Sequence, residues 1–151
     1  MQDIEDFKKS IGKKSRLLGI DPGKKRVGLA ISDEDKLVST PLKTIVKKNN
    51  FDLVKEIKET IEENNIKGIV VGNPINMDGS KGPSSQSAND FAKYLSNNVS
   101  VPVTMWDERL SSEGAFNLSS NLDINTSKKV EKLDQNAASF ILQGAIDYIR
   151  R

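Results

Sequence analysis

Along the 151-residue chain the spacing of apolar positions changes several times, and each change predicts an element. Leu17-Leu18-Gly19-Ile20 is a short apolar run that stops at Asp21-Pro22-Gly23, a turn signal, so it predicts a buried strand. Arg26-Val27-Gly28-Leu29-Ala30-Ile31-Ser32 alternates and predicts a second strand. A polar turn at 33–36 leads to a third strand over 37–46, interrupted at Pro41. Short turns between these strands predict an antiparallel meander.

The spacing then turns helical. Phe51, Val54, Ile57, Lys58 and Ile61 recur on one face, with Asn50 as the expected N-cap. The β-branched run 67–72, bounded by Gly68 and Gly72, predicts a buried parallel strand. The segment 73–82 carries Pro, Asn, Asp and Gly and reads as a loop. A helix capped by Ser84 or Ser85 is expected to about residue 97, with Ala88, Phe91, Ala92 and Leu95 inward. Residues 101–106 predict a last strand ending at Asp107-Glu108. A short helix is expected from Ser111 or Ser112 to Leu118, then a polar, mobile stretch over 119–131. The final helix is expected from about Lys132 to Arg150, with Leu133, Ala137, Phe140, Ile141, Ala145 and Tyr148 as its apolar stripe. The order βββαβαβαα predicts one α/β domain over 16–151, following a polar N-terminal arm at 1–15. Its sheet should be mixed and five-stranded, with helices on both faces.

Composition narrows the chemistry. The chain has no Cys and no His. That excludes disulfides, thiolate nucleophiles, cysteine zinc sites, Ser-His-Asp triads and imidazole general bases. A catalytic centre here must use carboxylates, lysine, hydroxyls, backbone amides or a hard cation held by oxygen. The net charge of +2 is too small to argue nucleic-acid binding by itself. Residues 1–16 lack the apolar core of a signal peptide, and the apolar runs are too short to span a membrane. A cytoplasmic protein is the expectation.

The candidate chemistry lies in acids at strand ends. Asp21 follows the first strand, Asp107 and Glu108 end the last, and Asp134 is expected in the first turn of the final helix. If the first and last parallel strands are close neighbours, these carboxylates converge on one edge. Convergent carboxylates repel, and a divalent cation resolves that repulsion. Two such cations could clamp a phosphodiester without His or Cys. Each acid also has an ordinary reading. Asp-Pro-Gly forms turns, an acid near a helix N-terminus is stabilised by the macrodipole, and Asp107-Glu108-Arg109 could be a plain charged strand end.

Four segments sharpen the choice: GIDPGKKRVGLAISD (19–33), GNPINMDGSKGPSSQSANDFAKYL (72–95), VPVTMWDERLSSEGA (101–115) and KLDQNAASFILQGAIDY (132–148). In order, spacing and content they resemble the YqgF/RuvX family, described as pre-16S ribosomal RNA nucleases and formerly as Holliday junction resolvases. The resemblance covers nearly the whole chain beyond the arm. It implies a ribonuclease H-like fold and a nuclease centre dependent on Mg²⁺ or Mn²⁺, expected as two ions. It also implies Asp21, Glu108 and Asp134 as catalytic acids and metal ligands, with Asp107 as a further candidate ligand. Adjacent strand residues face opposite ways, and the longer arm favours Glu108. One departure is Gly72-Asn73-Pro74, where the family commonly has Gly-Leu-Pro; another is Ser111-Ser112 in place of paired threonines.

Lys24, Arg26, Lys81, Arg109 and Ser111 are the expected substrate contacts, suited to a phosphate backbone. The expected partner is pre-ribosomal RNA, with branched DNA as the alternative; a ribosomal precursor particle is a further candidate. No membrane is expected, and the oligomeric expectation is a monomer or weak homodimer. Two rival readings compete with the nuclease. An actin-like ATPase half shares the topology but needs a second domain to enclose nucleotide. A non-catalytic RNA- or ribosome-binding module would keep the acids only as remnants.

Overall fold

The computed structural model describes residues 1–75, 78–110 and 126–150, with the backbone alone at 110 and over 126–135. Helix α1 (Ile4–Ser10) precedes strands β1 (Arg16–Pro22), β2 (Arg26–Ser32) and β3 (Ser39–Val46). Helix α2 (Asn50–Asn64), strand β4 (Ile66–Asn73), helix α3 (Pro83–Asn98) and strand β5 (Val103–Asp107) follow. A 3₁₀ turn (Glu108–Leu110) and helix α4 (Thr126–Ile149) complete the order. The expected short helix at 111–118 and the stretch at 119–125 lie outside the described residues.

One five-stranded sheet runs in the order β3-β2-β1-β4-β5. β1, β2 and β3 pair antiparallel, as the short turns predict, while β4 pairs parallel to both β1 and β5. The strands ending in the candidate acids are therefore not neighbours, because β4 lies between them. Gly23 makes the β1–β2 turn: a Cβ there would stand 2.1 Å from the Arg26 carbonyl oxygen, so any side chain would force the turn open. Pro41 sits where the β2–β3 register shifts, between Leu29 and Ala30. An edge strand accommodates the lost N–H at such a bulge.

Alternation assigns each strand residue to a face. One face carries Leu18, Ile20, Leu29, Ile69, Val71 and Val103 under α2 and α3. The other carries Leu17, Ala30, Val70 and Trp106 under α4 and α1. Helix α3 buries Ala88, Phe91, Ala92 and Leu95 as the spacing predicts. Its N-cap is Gly82, whereas Ser85 is buried and donates to Asn73 Oδ1 at 2.8 Å. Helix α2 is capped by Asn49, one residue earlier than expected, through its side chain to the Asp52 N–H.

Helix α4 presses closely on the sheet. A Cβ at Gly19 would meet Leu142 Cβ at 2.6 Å and the Ala138 carbonyl oxygen at 3.0 Å. Its buried stripe is Ala138, Ile141, Leu142, Ala145, Ile146 and Ile149, rotated from the expected one, so Ala137 and Phe140 are only half-buried. It also begins at Thr126, not near Lys132, which puts Asp134 in the helix interior instead of its first turn. The macrodipole argument for that acid therefore falls, since the effect fades beyond the terminal turn. The polar arm is not featureless. Within it α1 buries Phe7, whose ring lies against Gly68, and Lys36 Nζ donates to the carbonyls of Gly12 and Lys13 just after the helix.

Candidate active site

Three parallel strands carry their C-terminal ends to the same edge of the sheet, so Asp21, Asn73 and Asp107 end neighbouring strands there. On β1 the residues facing α4 are Leu17, Gly19 and, by alternation, Asp21. On β5 Trp106 faces α4, so the next alternate position, Glu108, points the same way and Asp107 points to the opposite face. Strand parity thus separates the two adjacent acids. Glu108 reaches across β4 and shares a hydrogen bond with the Asp21 carboxyl.

The crossing is open because position 72 has no side chain. A Cβ on Gly72 would stand 2.8 Å from Glu108 Oε1 and 2.6 Å from Ile141 Cδ1. The glycine that marks the end of the β-branched run therefore makes the space in which Asp21 and Glu108 meet. Its residue type was the available sequence signal.

Charge is uneven across this edge. Burial pushes the Glu108 carboxyl above its ordinary value, its hydrogen bond with Asp21 pulls it back, and the Asp107 charge pushes it up further. Asp107 behaves oppositely, because the Arg109 guanidinium beside it holds its carboxyl below the usual range. That pair is bidentate, with Arg109 Nε donating to Asp107 Oδ1 at 3.1 Å and Nη2 to Oδ2 at 2.7 Å. The Arg109 backbone N–H also donates to Asp107 Oδ1 at 2.9 Å. The loop after β4 comes near Arg109 as well: a Cβ on Gly79 would lie 3.7 Å from its Nη1. In that loop Asp78 accepts from the Ser80 N–H and hydroxyl, which lowers its carboxyl, and the Arg109 charge lowers it further.

Lys24 and Arg26, beside Asp21 at the β1–β2 turn, are exposed, and so is Lys81. Ser111 lies outside the described residues. Asp134 is placed by its backbone, one turn before Ala138, the residue that packs over Gly19. Its side chain is outside the description. Among the described residues no group of three or more acids gathers as a metal would require, and the pair that meets is Asp21 with Glu108. Trp106 is core, stacked at a tilt on Tyr148 with ring centroids 5.6 Å apart.

Comparison with known proteins agrees with this architecture. A family model described as RuvX, Holliday junction resolvase, matches residues 15–148. A Pelagibacter ubique protein named "Putative pre-16S rRNA nuclease" is 56% identical over 99% of both chains. A Rhodobacter capsulatus protein of the same name is 40% identical over 95% of this chain and 91% of its own. Among solved structures, Thermus thermophilus RuvC in complex with a Holliday junction substrate superposes with a TM-score of 0.53 at 13% identity. That match covers 89% of this chain and 94% of the other, and it shows a shared fold. With the family model covering nearly all of the sheet and its helices, and relatives this similar over their full length, the chain belongs to the RuvX family.

Proposed function

We propose that this protein is a metal-dependent nuclease that hydrolyses phosphodiester bonds during 5′-end processing of pre-16S ribosomal RNA, in the cytoplasm. The observation that carries the reading is the meeting of Asp21 and Glu108 through the gap at Gly72. The names borne by the relatives support ribosomal RNA as the substrate. The likeness to RuvC supports the fold and leaves the junction as a second substrate to test.

The donor set suits a hard cation. Two carboxyls share a half-buried corner in contact with one another, an arrangement that a divalent cation stabilises and that bare charge does not. Asp21, Glu108 and Asp134 would hold Mg²⁺ or Mn²⁺, one ion or two. When bound, the cation supplies neutralisation of the charge that develops on the transferring phosphate. Asp107 serves differently, because its bidentate grip fixes the Arg109 guanidinium at the rim, where it can contact the scissile phosphate. Lys24, Arg26 and Lys81 supply sequence-independent contacts along the backbone, and Ser111 is a further candidate contact.

The test is cleavage of a precursor 16S 5′-end RNA and of a four-way DNA junction by wild type, Asp21→Asn and Asp134→Asn. Removing a ligand should lower the rate roughly a hundredfold or more, several kcal/mol of transition-state stabilisation. EDTA should abolish cleavage, and added Mg²⁺ should restore it. Equal rates in all three proteins, or cleavage that survives EDTA, would sink the assignment.

A further inference from the structure

The edge that holds Asp21 and Glu108 continues, through the proposed backbone contacts Lys24 and Arg26, into a second surface. Strand β2 begins and β3 ends at this edge, with Arg26 opposite Val46. The Lys47 N–H donates to the Lys25 carbonyl at 2.8 Å, joining the turn at 24–26 to the segment entering α2. Lys24, Lys25, Arg26, Lys47 and Lys48 therefore form one continuous cationic stretch running away from the acids.

Aromatic rings flank its far end. Helical spacing places Phe51 on the inner face of α2, yet the residue is 72% exposed, and the buried residues are Leu53, Val54, Ile57 and Thr60. The preceding residue, Asn50, lines a groove of about 470 Å³ between the start of α2 and the outer side of α3, together with Lys47, Pro83, Asp90, Phe91 and Tyr94. Tyr94 is 37% exposed and lines that groove. Asp90 is the acid of its wall, and Gln86 Nε2 donates to it at 3.1 Å.

A run of cations that ends at exposed rings suits a polyanion with open bases. Cations take the backbone, while aromatic faces take unstacked bases, which a duplex keeps inside. We propose that an unpaired stretch of the RNA substrate leaves the Asp21–Glu108 corner, crosses Lys24–Arg26 and Lys47–Lys48, and enters the groove between α2 and α3. Phe51 and Tyr94 are its stacking faces. The identity of the substrate rests on the nuclease reading; the binding surface is tested without cleavage.

The experiment measures binding of the full-length chain, carrying Asp21→Asn and kept in EDTA, to a labelled unstructured RNA oligomer and to a blunt RNA duplex of equal length. The single strand should bind more tightly. Phe51→Ala and Tyr94→Ala should each weaken it about tenfold, with little effect on the duplex. The double change Lys47→Ala and Lys48→Ala should lower the slope of log affinity against log salt by about 1.4. Thermal midpoints equal to the parent's show that the variants are folded. Single-strand binding unchanged in both aromatic variants, or a preference for duplex, would overturn the proposal. If the single strand binds through Phe51 and Tyr94, yet the wild-type chain supplied with Mg²⁺ cleaves no RNA, the nuclease reading falls and this surface stands.

Discussion

A methyl group at position 72 would have to push two side-chain ends aside. Glu108 Oε1 and Ile141 Cδ1 both lie inside normal contact distance of it, one an atom of the proposed site and the other core. Gly72→Ala should therefore cost about 1–3 kcal/mol through overpacking. Displacing Glu108 by a fraction of an ångström to an ångström should also lower cleavage, by about a hundredfold. Gly68→Ala is the matched comparison, because its Cβ would press on Phe7 and Ile11 at 2.8 and 3.0 Å, away from the acids. Thermal melts should show comparable losses for the two variants, while the cleavage rate at low temperature falls for position 72 alone. Equal rates would mean that the gap at Gly72 is a packing feature only. At this scale the residue types could be read from the chain, but not their neighbours: nothing in 67–72 says that Glu108 passes over it.

At the scale of elements, local chemistry and tertiary contact divide the outcome. The β2–β3 turn is local. Asp33 accepts from the N–H groups of Leu37 and Val38 at 2.7 and 3.0 Å, and these bonds, Val38's foremost, hold its carboxyl below the ordinary 3.8. A carboxyl lowered on folding adds stability above its unfolded value and loses it as pH falls through the folded one. Asp33→Asn should then lower the melting midpoint by about 1–2 °C near neutrality, small because the turn is solvated, and the gap should close as pH falls through and below the ordinary carboxylate range. A gap that persists undiminished in acid would refute the charged-acceptor account. Helices α2 and α4 are not local in the same sense. Periodicity locates both, but the face of α2 that carries Phe51 and the start of α4 at Thr126 were misplaced. Spacing defines a stripe on a helix to within one residue's rotation, and the partner surface decides which residues of that stripe are covered.

For the whole molecule, one face of the sheet is closed by segments from opposite ends of the chain. Helix α1 and helix α4 share one core, in which Phe7, Leu17, Val70, Leu142 and Ile146 are fully buried. The N-terminal segment is thus part of the folded unit. Phe7→Ala should destabilise the protein by about 3–5 kcal/mol, visible as a fall of roughly 10 °C in the melting midpoint. A shift within 2 °C would show that the helix is docked without contributing to stability. Tyr148 Oη donates to Glu5 Oε1 at 2.6 Å, a second tie between the same two helices. Among the described residues no helix is long and apolar enough to cross a membrane, consistent with the short apolar runs of the sequence.

What the chain decided by itself is the order of strands and helices, the antiparallel meander at its start and the exclusion of cysteine and histidine chemistry. These follow from side-chain spacing, turn residues and composition, all of which act within a few residues. The tertiary structure decided the rest: that β4 separates the two acid-bearing strands, that Gly72 lets Glu108 cross it, and that Asp107 turns away to Arg109. Asp21 and Glu108 are far apart along the chain, and their meeting depends on which face of each strand α4 covers. That choice is made by packing over the whole sheet, and no local pattern encodes it.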